Sequence, residues 1–150
     1  MINRTRMVRQ NVQRLLREDY NQRREQLRTL PERIATERAR LTSIRSASAE
    51  SAMIHDGGNV RQERDTAILA EIDRLTAELE LAKLEIKTID RILESLDEQS
   101  RRIVEQMDVY HVKGAVERLC DEMGYERSRF YDLYDNALDK IAALYFAQRR

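Results

Sequence analysis

Arg127, Ser128, Arg129, Tyr131 and Asp132 stand together at the opening of the last apolar-periodic stretch of the chain. A guanidinium can pair bidentately with guanine, while Ser and Asp can bond other base edges. A cluster of this kind recognises a partner and does not cleave one. Catalytic groupings are not evident: there is no Gly-rich phosphate loop, and Cys120, the single cysteine, has no His at a telling spacing. His55 sits beside Asp56 without a second His or Cys at ligand distance, which reads as an exposed turn. The expectation is therefore a non-enzyme without metal or cofactor.

The residues around the cluster explain how it could be presented. Val116, Leu119 and Met123 mark a short helix that stops at Gly124, a residue suited to a left-handed helix end. Met123-Gly124-Tyr125 then forms a tight turn, and Phe130 and Leu133 pin a second helix starting near Arg127. Cys120 is a small residue where that helix must come close. A helix, a Gly-containing turn and a second helix make the helix-turn-helix pattern, whose second helix offers its first residues to a major groove. Arg127, Ser128, Arg129, Tyr131, Asp132 and Asp135 fall on its open side. An ordinary corner of a three-helix bundle shows part of the same spacing. Upstream, Asp97 caps a helix of about 98–109 with Ile103, Val104 and Met107 inward, and Tyr110 to Gly114 is a connector whose Tyr110 and His111 are part-buried or else line a groove.

Those helices must be carried by the rest of the chain. Its 150 residues are 36% charged and 5% aromatic, with one Pro and four Gly. That composition argues against a β-sandwich or barrel and fits long, charge-covered helices. No apolar run reaches the length of about 18 residues that a membrane span needs, and the Arg-rich start lacks the apolar core of a secretory signal. A lone cysteine suits a cytoplasmic setting. Ile68, Ile72, Leu75, Leu79, Ala82, Ile86, Ile89, Leu93 and Leu96 alternate in steps of four and three, an unbroken heptad seam over about four heptads. A partial second stripe (Leu69, Leu81, Leu84 and Ile92) widens the apolar face beyond one partner surface. Ahead of it, a weaker pattern runs through Leu16, Tyr20, Leu27, Leu30, Ile34, Leu41 and Ile44, broken by Arg23 and Glu37. Pro31 either kinks that helix or opens a new one. Ser46, Ser48, Ser51 and His55-Asp56-Gly57-Gly58-Asn59 predict a turn over about 46–60, folding helix 61–96 back as an antiparallel hairpin.

The net charge of zero conceals a gradient. Residues 1–45 hold 12 Arg against 5 acidic residues, +7; residues 46–113 hold 9 basic against 15 acidic, −6; the remainder is −1. A basic arm suits nucleic acid or an acidic partner, or else Arg residues that pair along their own helix.

Leu96-Asp97-Glu98, Arg101-Arg102-Ile103-Val104, Val116, Leu119-Cys120, Glu122 to Tyr125, Arg127 to Tyr131 and Ala137-Leu138 with Ile141 resemble region four of bacterial sigma factors. The stretch is more similar still to phage transcriptional regulators of the ArpU and RinA type, matching without gaps from Ala115 to Ile141. Related phage proteins place a helical hairpin with a Ser/Gly-rich tip before this module, as residues 10–95 would here. The resemblance implies sequence-specific DNA binding that regulates phage late or morphogenesis genes. Two departures stand out. Glu126 occupies the place of the family's Ser or Thr cap, and Asp132, Asp135 and Asp139 follow the arginines on a face that is often basic.

The expectation is an all-α protein with an N-terminal antiparallel helical hairpin or coiled coil over 1–95 and a sigma-region-four-like helix-turn-helix domain over 96–150. The hairpin comprises the basic arm 1–45, the turn about 46–60 and the heptad helix 61–96. The heptad positions Ile68, Ile72, Leu75, Leu79, Ile86, Ile89 and Leu93 form the hairpin or oligomer seam. The expected partners are double-stranded DNA, RNA polymerase and a second copy of the chain, in a bacterial host cytoplasm with no membrane contact. The rivals are an adaptor that docks on RNA polymerase or a sigma factor with little DNA contact, and a viral DNA-packaging recognition protein. Packaging proteins of that kind usually place the DNA-binding module before the coiled coil, the reverse of the order here.

Overall fold

The structure, a computed structural model, describes the backbone of residues 3–51 and 58–147. The described residues are helical with short connectors and contain no strand. None of their helices is long and apolar enough to cross a membrane. α1 (Arg4–Arg14) passes through a π-helical stretch (Leu15–Asp19) into α2 (Tyr20–Ser51). α3 (Gly58–Ser95) and α4 (Glu98–Val104) follow, the latter running into a second π-helical stretch (Glu105–Val109). α5 (Ala115–Met123) and α6 (Arg127–Ala147) complete the chain.

Two compact units result, Arg24–Leu84 and a second one made of Met1–Arg23 with Glu85–Arg150. This differs from the sequence division at 95/96, and the reason lies in where the apolar side chains of the arm go. Within Arg24–Leu84, Leu30, Ile34 and Leu41 of α2 form one core with Ile68, Ile72 and Leu75 of α3. Ile44 and Leu79 pack on its margin. Arg45 meets Asp65 at 3.4 Å and Arg33 meets Glu71 at 4.0 Å, so higher numbers on α2 face lower ones on α3 and the pair is antiparallel. Leu75 is 1% exposed. Leu75→Ala is expected to cost about 2–5 kcal/mol through lost transfer energy and the cavity left behind. Leu69→Ala, at a site 42% exposed, is expected to leave the urea midpoint nearly unchanged. Equal losses for the two would show that the seam faces the wrong way.

Pro31 does not open a new helix. It lies inside α2, exposed, where its missing N–H leaves the Leu27 carbonyl without its intrahelical donor. Helix extends into the span 46–60 expected as a turn: α2 includes residues up to Ser51 and α3 begins at Gly58. Ser and Ala are tolerated in helix once a neighbouring apolar stripe is packed. His55 and Asp56 lie outside the described residues.

The other unit is built on residues that the arm's charge obscures. Val12 and Leu16 are fully buried and Leu15 and Tyr20 nearly so. α1 lies along α6, α4 and α5 also pack on α6, and the two π-helical stretches meet. Ile86, Ile89 and Leu93, expected in the same seam as Leu75, are buried in this second unit. Arg23, which interrupts the heptad row, pairs with Glu85 at 2.8 Å, and the Tyr20 hydroxyl donates to Asp90.

Candidate nucleic-acid interface

α5 and α6 are joined by a turn whose Gly124 has φ +69°, the left-handed region that favours glycine. The Tyr125 N–H donates to the Cys120 carbonyl at 3.1 Å and closes the end of α5. Leu119 and Phe130 are fully buried on either side of the turn, and Cys120 is half-buried. The turn is tied to α4, because the Tyr125 hydroxyl donates to Gln99 Oε1 at 2.8 Å. A second tie joins Arg102 of α4 to Glu122 of α5. α4 itself starts at Asp97, whose Oδ2 accepts from the Ser100 N–H at 3.1 Å. Bonds from Ser100 hold the Asp97 carboxyl below its ordinary range. The connector after the second π-helical stretch is more open than expected: Tyr110 is 61% exposed. There His111 turns the chain with φ +47°.

The five residues singled out by the sequence all lie exposed on the first two turns of α6. Arg127 makes one loose ion pair with Glu117 of α5 at 3.6 Å, both side chains 68% exposed. Arg129 lies over the Tyr125 ring at 5.3 Å, a cation–π contact that orients the guanidinium while leaving its edge open. Tyr131 stands edge-on to Phe130, with ring centroids 5.6 Å apart. Ser128 and Asp132 complete the patch. Glu126, in place of a Ser or Thr cap, precedes the first helical residue, and its carbonyl accepts from the Phe130 N–H at 3.0 Å.

Farther along α6 the picture differs from the sequence expectation. Asp135, expected on the open side, is held by Arg9 at 3.4 Å, and Asp139 takes a two-pronged contact from the same guanidinium at 2.8 Å. The Arg9 hydrogen bond lowers the Asp139 pKa, so the carboxylate stays ionised deeper into acid. One positive charge from α1 thus offsets part of the negative charge of Asp135 and Asp139. Asp132 remains.

Behind this surface is a buried polar network that the sequence reading missed. Asp108 is fully buried in the second π-helical stretch. Its Oδ1 accepts from Arg17 Nε at 2.8 Å and its Oδ2 from the Tyr134 hydroxyl at 2.6 Å. Gln13 Nε2 donates to the same hydroxyl at 2.9 Å. Burial outweighs these bonds and pushes the Asp108 carboxyl above its ordinary range. Burial also raises Tyr134, beside Asp108, so the phenol stays protonated. Arg17 and Asp108 each lie in a π-helical stretch, a wider turn than the α-helix around it. Asn21 Nδ2 bridges the two stretches by donating to the Val109 carbonyl at 2.9 Å and the Arg17 carbonyl at 3.1 Å. The available sequence signal was Val12 with the Leu15-Leu16 dipeptide inside an otherwise charged arm.

Among the described residues, no group of three or more His, Cys, Asp or Glu side chains is placed to hold a metal ion. No protein-family model, no curated protein and no solved structure matches the chain.

Proposed function

We propose that α5 and α6 act as a helix-turn-helix in a sequence-specific DNA-binding regulator of phage or prophage genes, in the bacterial host cytoplasm. The observation that carries this reading is the open first half of α6, where Arg127, Ser128, Arg129, Tyr131 and Asp132 are exposed together. They project from a helix pinned by Phe130 across a glycine turn. Side chains on the first turns of the second helix are the ones that reach base edges in such modules. The resemblance to the ArpU and RinA type supports late or morphogenesis genes as targets, with activation through RNA polymerase. In this reading the antiparallel α2–α3 pair is the hairpin that precedes the module. Leu69 and Leu81, exposed on α3, support pairing with a second copy. Asp132, Asp135 and Asp139 on α6 favour the adaptor, and Arg9 offsets one of these three charges.

Selection of bound duplexes from a random library tests the proposal. The parent is expected to enrich a defined site, and Arg127→Ala or Arg129→Ala to relax one or two positions of it by about 1–3 kcal/mol while leaving the melting temperature unchanged. An unchanged site in both variants would remove α6 as the reading helix and favour the adaptor.

A further inference from the structure

The arm of residues 1–45 carries 12 arginines, and the structure separates those held within the chain from those that are not. Arg9, Arg17, Arg23, Arg28, Arg33, Arg40 and Arg45 each form an ion pair with an Asp or Glu of this protein. Most of the arm's positive charge is therefore met by the protein's own carboxylates. Arg4 and Arg6, on the first turn of α1, are exposed and make no ion pair among the described residues.

Their place in the unit is set by how α1 runs on α6. Asn3, Thr5, Arg6 and Arg9 share a cleft with Asp135 and Leu138. Farther along α1, Arg14 and Leu15 share another with Tyr145 and Phe146. Gln13 reaches the Tyr134 hydroxyl while Arg9 reaches Asp139, so α1 crosses α6 and sets the start of α1 beside Asp135 and Leu138. Arg9 stands level with Asp135 and Asp139. Asp135 lies one helical turn past Tyr131 and Asp132, so Arg6, in the cleft with Asp135, is close to the open first half of α6. Arg6 therefore borders the open face of α6, with Arg4 on the same turn of α1.

We infer that the first turn of α1 is the phosphate-contacting flank of the reading surface, with Arg4 and Arg6 each meeting the backbone of the duplex that α6 reads. This rests on the proposed DNA-binding function and assigns a part of it to a helix 120 residues away in the sequence, from Arg6 to Glu126. α1 would serve α6 twice. Arg9 offsets one of the two carboxylate charges of Asp135 and Asp139, and Arg4 and Arg6 add the attraction that the helix-turn-helix lacks. Phosphate contacts carry no base preference, so they strengthen binding to all duplexes alike.

The test is a salt series on the full chain with random duplex and with a selected site, comparing the parent, Arg4→Ala/Arg6→Ala, and Arg14→Ala as an exposed arginine farther along α1. The double variant is expected to flatten the slope of log affinity against log salt by about 2, weaken both duplexes by the same factor and keep the base preference. Arg14→Ala is expected to match the parent. A parental slope in the double variant, or an equal loss in Arg14→Ala, overturns the assignment of the flank while the DNA-binding function stands. If the parent binds neither duplex at low salt, the function itself fails, and the flank with it.

Discussion

A chain lacking residues 1–25 is expected to lose the cooperative fold of α4, α5 and α6, although the deletion touches none of them. Val12, Leu15, Leu16 and Tyr20 are all buried in the unit that contains those helices. Each contributes about 1.5–3 kcal/mol by leaving water. Their sum approaches the entire stability of a small domain, about 5–15 kcal/mol. Removal would also uncover their apolar neighbours on α6 and leave Asp108 and Asp139 without Arg17 and Arg9. Thermal unfolding followed by near-ultraviolet circular dichroism reports this, since Tyr134 and Tyr145 are buried in that unit. The truncated chain should show no tertiary transition for it. Retention of that transition would establish α4 to α6 as a free-standing domain, as the division at 95/96 supposes. The truncation is consequently a poor probe of whether the arm binds DNA, and point substitutions on the exposed first turn of α1 are the informative ones.

The second large effect belongs to Asp108 and Arg17, and it should carry an unusual pH dependence. Asp108→Ala removes a fully buried carboxylate and leaves the Tyr134 hydroxyl without its acceptor. Arg17 keeps part of its hydration, its side chain being 39% exposed, so the loss is smaller than for a fully enclosed pair, about 2–4 kcal/mol. Arg17→Met leaves the carboxylate buried with only the Tyr134 hydroxyl, and its pKa should climb further. A carboxyl whose folded pKa lies above its unfolded one stabilises the fold most at low pH. That contribution is present below the ordinary aspartate range and is lost as pH rises through the raised folded value. The deficit of Arg17→Met relative to the parent should therefore be greatest at neutral pH and shrink on acidification. Asp97 and Asp139 act in the opposite sense: their depressed folded pKa values give stability above the ordinary range that is lost as pH falls. Urea denaturation of parent and variant across pH 4–8 separates these signs. A deficit that grows toward acid would mean that Asp108 is not the group left unpaired.

The all-helical class, the core-facing residues of α3 and the exposed cluster on α6 were legible in local patterns. Heptad spacing over Ile68 to Leu96 sorts side chains by face whatever they pack against, and a glycine between two apolar-periodic runs ends a helix by its own backbone preference. The chemistry of Arg127, Ser128, Arg129, Tyr131 and Asp132 is likewise a property of the residues themselves. Assignment of partners was not legible in this way. One seam served two cores, with Leu75 packed on Leu30 and Ile34 while Ile89 and Leu93 joined the unit of α6, because periodicity marks a buried face without naming what buries it. The charge gradient misled for a related reason. It left open a partner surface or pairing along the same helix, whereas ion pairs with Asp108, Asp135 and Asp139 form across separations of 91 to 130 residues. The register that brings Arg17 to Asp108 depends on π-helical turns in both segments, and no local propensity announces them. A buried face follows from local periodicity, whereas the partner that covers it is set by the packing of the whole unit.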